Sequence, residues 1–139
     1  MKKSILILVV IMGVFIHFSY SQCGVETIKK QLPTSIGIVI YSNDYETLFN
    51  AMRFANFSKS EGDTVSIFLL GKGVELDNIV KENKDIKEQV DSFLDNKGSI
   101  LGCGTCLQSR KNSEPQVCKF SSMADLYEIV RKNKIVLTF

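Results

Sequence analysis

Three short runs of β-branched and apolar residues constrain the fold of this chain more than any other feature. Residues 35–42 (SIGIVIYS), 64–70 (TVSIFLL) and 134–139 (KIVLTF) each read as a strand, and each is close to continuously apolar. Such runs suit strands covered on both faces, the usual condition of a parallel sheet. The segments between them agree, because parallel neighbours need a crossover of a dozen or more residues, usually helical.

Residues 44–60 carry Leu48, Ala51, Met52 and Ala55 at helical intervals. Asn43 and Glu46 ahead of them have the spacing of a capping box, and Gly62 stops the segment. Residues 75–96 carry Leu76, Ile79, Val80, Ile86, Val90, Phe93 and Leu94, a helical region long enough to break in two, ended by Asn96-Lys97-Gly98. A short third strand starts at 99–101 and runs into Gly102-Cys103-Gly104-Thr105-Cys106. Ser121 or Ser122 caps a last helix with Met123, Leu126, Ile129 and Val130. The expected product is one three-layer α/β/α sandwich with a parallel sheet of four to five strands.

The N-terminus has its own logic. Lys2 and Lys3 precede residues 5–18, an uncharged apolar run of 14 residues, short of the roughly 18–20 that span a bilayer. Ser19-Tyr20-Ser21 then supplies small residues for a signal peptidase cutting after Ser21. Residues 1–21 therefore read as a signal peptide, 22–34 as a polar lead-in and 35–139 as the domain. The expected location is periplasmic or secreted. Cys23 lies near the boundary, but a lipobox wants an aliphatic residue three before the cysteine and a small one just before it. Tyr20 and Gln22 stand there. Membrane association then requires lipidation at Cys23 or an uncleaved leader.

Seventeen basic residues against fifteen acidic give the whole chain a charge of +2, and loss of Lys2 and Lys3 brings the balance to zero. The only histidine, His17, leaves with the leader. The remaining chain has no imidazole for a Ser-His-Asp or Cys-His nucleophile and none for a metal. A neutral chain without a basic block also argues against nucleic acid. No cofactor is expected. The loop YSNDYET (41–47) is hydroxyl-rich but lacks the glycine of a flavin phosphate loop, and Gly71-Lys72-Gly73 lacks Walker spacing and reads as a strand-ending turn. Residues 81–88 (KENKDIKE) alternate in sign, as a solvated helix face does.

In open α/β sheets, reactive groups gather outside the carboxyl ends of the strands. Residues 41–44 and 102–110 must reach that edge. Cys103 falls where the third strand ends, between Gly102 and Gly104. Glycines allow tight turns and bring N–H groups to an anion, and such donors with a following helix lower a thiol pKa. Arg110, seven residues on, adds charge if the segment curls back. Of the four cysteines, Cys103 and Cys106 form a CxxC able to oxidise on export, while Cys23 and Cys118 are isolated. Four cysteines allow three complete pairings. A Cys₄ zinc site usually shows two close pairs, which are absent here. The thioredoxin arrangement needs a cis-proline ahead of a strand, and Pro33 and Pro115 do not supply one.

With these pieces in hand, the chain resembles the DsrE/DsrF-like family, which includes TusD/YchN-type sulfur-relay proteins, over about residues 35–139. SIGIVIYS and NAMRFANFSKSEGDTVSIFLLGKGVEL resemble its first strand, helix and second strand. CGTCLQSR (103–110) resembles its cysteine motif, with Lys111 where a glycine usually follows. SSMADLYEIVRKN and KIVLTF resemble its last helix and closing strand. The resemblance implies a DsrEFH-like, flavodoxin-like sandwich with a fifth strand near residues 116–120, and assembly into trimers or hexamers. It places the sulfur-accepting cysteine on Cys103, a second cysteine that resolves or locks it on Cys106, and the basic position on Arg110.

Three functions follow. One is a persulfide carrier in which a Cys103 thiolate takes sulfane sulfur from a donor protein or small polysulfide, chemistry that needs no cofactor. Another is a dithiol–disulfide redox protein using Cys103 and Cys106. The last is an oligomeric binding module that keeps the fold without the chemistry.

Overall fold

The apolar runs become strands, and every pairing between them is parallel. The computed structural model describes residues 32–139; the expected leader, its cleavage point and Cys23 lie outside the described residues. In chain order the elements are β1 (Ser35–Ile40), α1 (Tyr45–Ser60), β2 (Thr64–Leu69), a 3-10 turn (Gly71–Glu75), α2 (Leu76–Glu82) and α3 (Lys84–Asp95). Then follow β3 (Ser99–Cys103), α4 (Gly104–Ser109), β4 (Lys119–Ser121), α5 (Met123–Lys132) and β5 (Ile135–Thr138). The sheet order is β4-β3-β2-β1-β5. Three crossovers advance from β1 to β4, and the last returns past them to place β5 on the far side of β1. Right-handed crossovers put α5 on the opposite face from the helices that precede it.

Strand alternation assigns the faces. Gly37 lies under α5, since a Cβ there would stand 2.7 Å from Ile129 Cγ2. Its neighbours Ile36, Ile38 and Ile40 point the other way and are buried. The register pairs Ile38 with Ile67 and Ile67 with Ile100, a row beneath α1 and α3. Leu48, Ala51, Met52 and Ala55 from α1 and Ile86, Val90 and Phe93 from α3 close this side. Each of the larger of these side chains, fully buried, contributes about 1.5–3 kcal/mol, so most of the hydrophobic stabilisation sits here. The α5 side is thinner. A helix about 10 Å wide cannot cover five strands spaced roughly 4.8 Å apart. Ser66 and Leu101 are accordingly only partly buried, and Val136 on the edge strand, paired with Gly37, is exposed.

The element boundaries differ from the sequence expectation in instructive places. Asp44, not Asn43, caps α1: its Oδ1 accepts the Thr47 N–H at 2.9 Å. Adjacent Asn and Asp are near-equal caps, and Asn43 is drawn into a tertiary contact described below. The 75–96 region does break in two, at Asn83, and the Gly71 turn winds into a 3-10 helix. Ser122 and Asp125 form a reciprocal capping box on α5. β4, the extra strand expected near 116–120, is shorter and runs Lys119–Ser121, because residues before Lys119 are held by a side chain instead of by the sheet.

Candidate functional site

β3 carries the sequence SILGC, and its last residue turns the chain. Cys103 leaves the strand at φ −53° and ψ 110° and caps α4, its Sγ accepting the Cys106 N–H at 3.4 Å. Less than one helical turn later, the Cys106 Sγ accepts the N–H of Gly71 at 3.3 Å. The two cysteines of the motif therefore meet at the carboxyl edge of β2 and β3, where the order of elements puts them. Cys103, Cys106 and Cys118 are all free thiols.

Burial separates the pair. Cys103 is 3% exposed and packs within the hydrophobic core, whereas Cys106 is half-buried. The expected depression of the Cys103 pKa is reversed. Burial pushes that thiol up, and the Cys106 thiol beside it adds to the effect, against the opposing N–H groups of Cys106 and Thr105. The final residue of a central strand lies too deep for two weakly placed amides to offset its desolvation.

The flanking glycines also do a different job from the anion cradle expected of them. A Cβ on Gly102 would stand 2.7 Å from Cys118 Sγ and 3.1 Å from Leu107 Cδ1, and one on Gly104 would stand 3.2 Å from the Ser121 carbonyl oxygen. They let β4 and Cys118 close onto β3. The amide that faces the outer thiol belongs to Gly71, in the turn after β2, which the sequence marks only as a strand end.

Arg110 curls back over α4, as expected, but its charge is engaged. Its Nε donates to Glu75 Oε1 at 2.8 Å and its Nη1 to the Cys106 carbonyl at 3.3 Å. The other Glu75 oxygen accepts from Asn43 Nδ2 at 2.7 Å. Arg110, then Asn43, hold the Glu75 carboxyl below its ordinary range. Next to Arg110, Lys111 takes the left-handed conformation, φ 56°, a place where a side chain is strained and glycine is not. That accounts for the glycine the resemblance expects there.

Sequence reasoning misses Glu75 and also Asp77. Asp77 is 1% exposed, yet its Oδ1 accepts the N–H groups of Gln116 and Val117 at 2.6 and 2.9 Å, and its Oδ2 accepts from Asn112 Nδ2 at 2.9 Å. It braces the connection from α4 to β4. Apart from Lys81, 3.8 Å from Asp77 at i+4, the partners of both residues lie 32 to 40 positions away, so no local spacing signals these hydrogen bonds.

Cys118 stands apart from the pair. Burial, then the Asp77 charge, push its thiol from 9.0 to about 11. Unfolding releases a thiol of ordinary acidity, so the stabilisation is complete below pH 9 and is lost as pH rises toward 11. In alkaline titration of unfolding Cys118 should account for a fall of roughly 2–3 kcal/mol across that window, and Cys118→Ala should remove that part, leaving the contribution of Cys103. An unchanged slope in the variant would show that Cys118 is not its source.

Among the described residues, no group of three or more His, Cys, Asp or Glu side chains is arranged to hold a metal ion. No helix there is long and apolar enough to cross a membrane.

The sequence profile of the DsrE/DsrF-like family matches residues 34–139. No curated protein matches the chain. Among solved structures, the ychN protein from E. coli superposes with a TM-score of 0.66 at 18% identity, over 78% of this chain and 100% of that one. A conserved protein of unknown function from Bacteroides thetaiotaomicron gives a TM-score of 0.64 at 18% identity, over 76% and 95% of the two chains. At that identity the likeness concerns the fold.

Proposed function

Because the chain belongs to the DsrE/DsrF-like family, whose general role is sulfur relay, we propose that it carries sulfane sulfur on the Cys103–Cys106 pair, with Arg110 at its side. The observation that carries this reading is the arrangement of the two thiols at the sheet edge. Cys106 is half-buried beside the Gly71 amide, and Cys103 lies beneath it. Attack on a donor needs a thiolate that the donor can reach. The outer thiol therefore receives the sulfur, which exchanges the roles that the motif resemblance implies for Cys103 and Cys106.

The Cys106 thiol gives its proton to solvent, and its thiolate attacks the terminal sulfane sulfur of a persulfide or polysulfide. A new S–S bond forms on Cys106, the donor S–S bond breaks, and the donor leaves as the shorter thiolate. An acceptor thiolate then attacks the outer sulfur and restores Cys106. The proximity of Cys103 favours a second reading, dithiol–disulfide exchange. Its thiolate attacks the inner sulfur of the Cys106 persulfide, hydrosulfide leaves, and a Cys103–Cys106 disulfide remains for an external thiol to reduce. The reading includes export to the periplasm or beyond, a donor that is either a protein or a small polysulfide, and assembly into trimers or hexamers. Exposed Met123, Tyr127, Val130 and Ile135 on α5 and β5 support self-association.

Intact mass after polysulfide treatment tests the assignment. The chain should gain about 32 Da, one sulfur atom, at Cys106. Cys103→Ser should keep the adduct and Cys106→Ser should lose it. Loss in Cys103→Ser with retention in Cys106→Ser would return the role to Cys103. A loss of about 2 Da instead would mark the Cys103–Cys106 disulfide of the second reading, and a chain of unchanged mass would overturn both and leave the binding module.

A further inference from the structure

β5 is an edge strand, and its sequence, KIVLTF, contains no proline and no charge after Lys134. An edge presents unpaired N–H and C=O groups, and folds blunt it with short strands, charges or a covering segment. The opposite edge is blunted in this way: β4 has three residues, begins at Lys119, and its approach is held off the sheet by Asp77. β5 has no such device, and Ile135 and Val136 are exposed.

The layers on either side of β5 are bare in the same direction. On α5, Asp125, Glu128 and Lys132 line a groove over Ser66 and Leu101, on the β2–β3 side. Helical spacing turns the opposite flank, Met123, Tyr127 and Val130, toward β5, and all three are exposed. Val136 shares that layer, because its register partner Gly37 lies under α5. On α1, Asn56 and Lys59 face α3, which packs over β3. Phe54, on the flank of α1 away from α3, is therefore on the β5 side, and it is 36% exposed. One uncharged apolar surface thus runs through all three layers, with an open strand edge at its middle. At these exposures its six side chains offer roughly 500 Å², more than a monomer ordinarily leaves in one patch. Two copies together would bury about 1,000 Å² of it, plus main chain, which is enough for a specific interface.

We propose that this edge is the contact with a second copy of the chain: two β5 strands pair antiparallel about a twofold axis normal to the sheet, and the two sheets become one. The proposal rests on the self-association included in the reading above and names its interface. A twofold sets each layer against its own counterpart, α5 on the partner's α5 and α1 on the partner's α1. The strip has no charge to oppose its copy, and Tyr127, midway along the α5 stripe, meets the partner's Tyr127 near the axis.

Sedimentation velocity of the full chain at micromolar concentration, under reducing conditions, tests this. The particle mass should be an even multiple of the chain mass. Val136→Lys and Tyr127→Glu should each halve it, a loosening of at least about tenfold in dissociation constant. Tyr127→Lys should do the same, and an equal mixture of Tyr127→Glu with Tyr127→Lys should restore the pairing, because only a twofold brings position 127 against itself. Lys119→Glu, on the opposite edge, should leave the mass unchanged. Circular dichroism establishes that each variant is folded, and if Val136→Lys unfolds, the Tyr127 mixture still decides. A monomer, an odd-numbered assembly, folded variants of unaltered mass, or a mixture that stays apart would each overturn the proposal. A chain that pairs in this way yet takes up no sulfur would overturn the carrier function and leave the interface, and a monomer that takes up sulfur would do the reverse.

Discussion

Asp77→Ala is expected to lower the stability of the domain by about 2–4 kcal/mol, and its melting temperature by roughly 10–20 °C. One carboxylate, 1% exposed, satisfies two backbone N–H groups and the Asn112 amide at 2.6 to 2.9 Å. Alanine leaves all three donors without that acceptor. Water can reach Gln116, which is exposed, but only in part Val117 and Asn112, which are half-buried. That partial rehydration sets the expected loss below the sum of three orphaned donors. Asp77→Asn, which keeps one acceptor oxygen and the shape, should fall between the wild type and alanine. Denaturant unfolding at neutral pH measures the series. A second readout is independent: without the carboxylate the Cys118 thiol loses one of the two causes that raise it to about 11, and its titration should move down. An alanine variant within experimental scatter of the wild type would mean that the α4–β4 connection is held by something other than Asp77.

Gly73→Ala should cost about 3 kcal/mol, for a reason of space instead of conformation. A Cβ at this position would lie 2.0 Å from the Ile40 carbonyl oxygen and 2.8 Å from its carbon. Both obstacles are backbone, at the end of a central strand whose neighbours are paired on each side. Neither side can give way cheaply, so the 3-10 turn must lift from β1. Gly37→Ala is the internal control. Its nearest obstacle at 2.7 Å is Ile129 Cγ2, a side-chain methyl on α5 held by the stiff χ1 of a helical isoleucine, so the helix itself must shift slightly, and a smaller loss of about 1 kcal/mol is expected. Unfolding measurements on the two variants should rank them in that order, and equal losses would contradict the distinction between rigid and movable obstacles. Lifting the turn also withdraws the Gly71 amide from Cys106. Gly73→Ala should therefore disturb alkylation of the outer thiol, and Gly37→Ala should not.

The periodicity of side chains along the chain was enough to specify the architecture. Continuous apolar runs at 35–42, 64–70 and 134–139 made parallel strands, helical spacing of Leu48 through Ala55 and of Ile86 through Phe93 made the covering helices, and the order of elements carried CGTC to the carboxyl edge of the sheet. These features are local, since a strand or helix is selected by the spacing of residues within a few positions of one another. Capping was legible only to within one residue, because Asn43 and Asp44 serve almost equally and a distant carboxylate chose between them. What the tertiary structure alone decided is how deep each group lies and whom it meets. It buried Cys103 and left Cys106 half-buried, turned Gly102 and Gly104 toward β4, joined Arg110 to Glu75, and set Asp77 beneath the 112–117 segment. Desolvation and hydrogen-bond partnership depend on surroundings assembled from residues more than thirty positions apart, and no short stretch of sequence contains them.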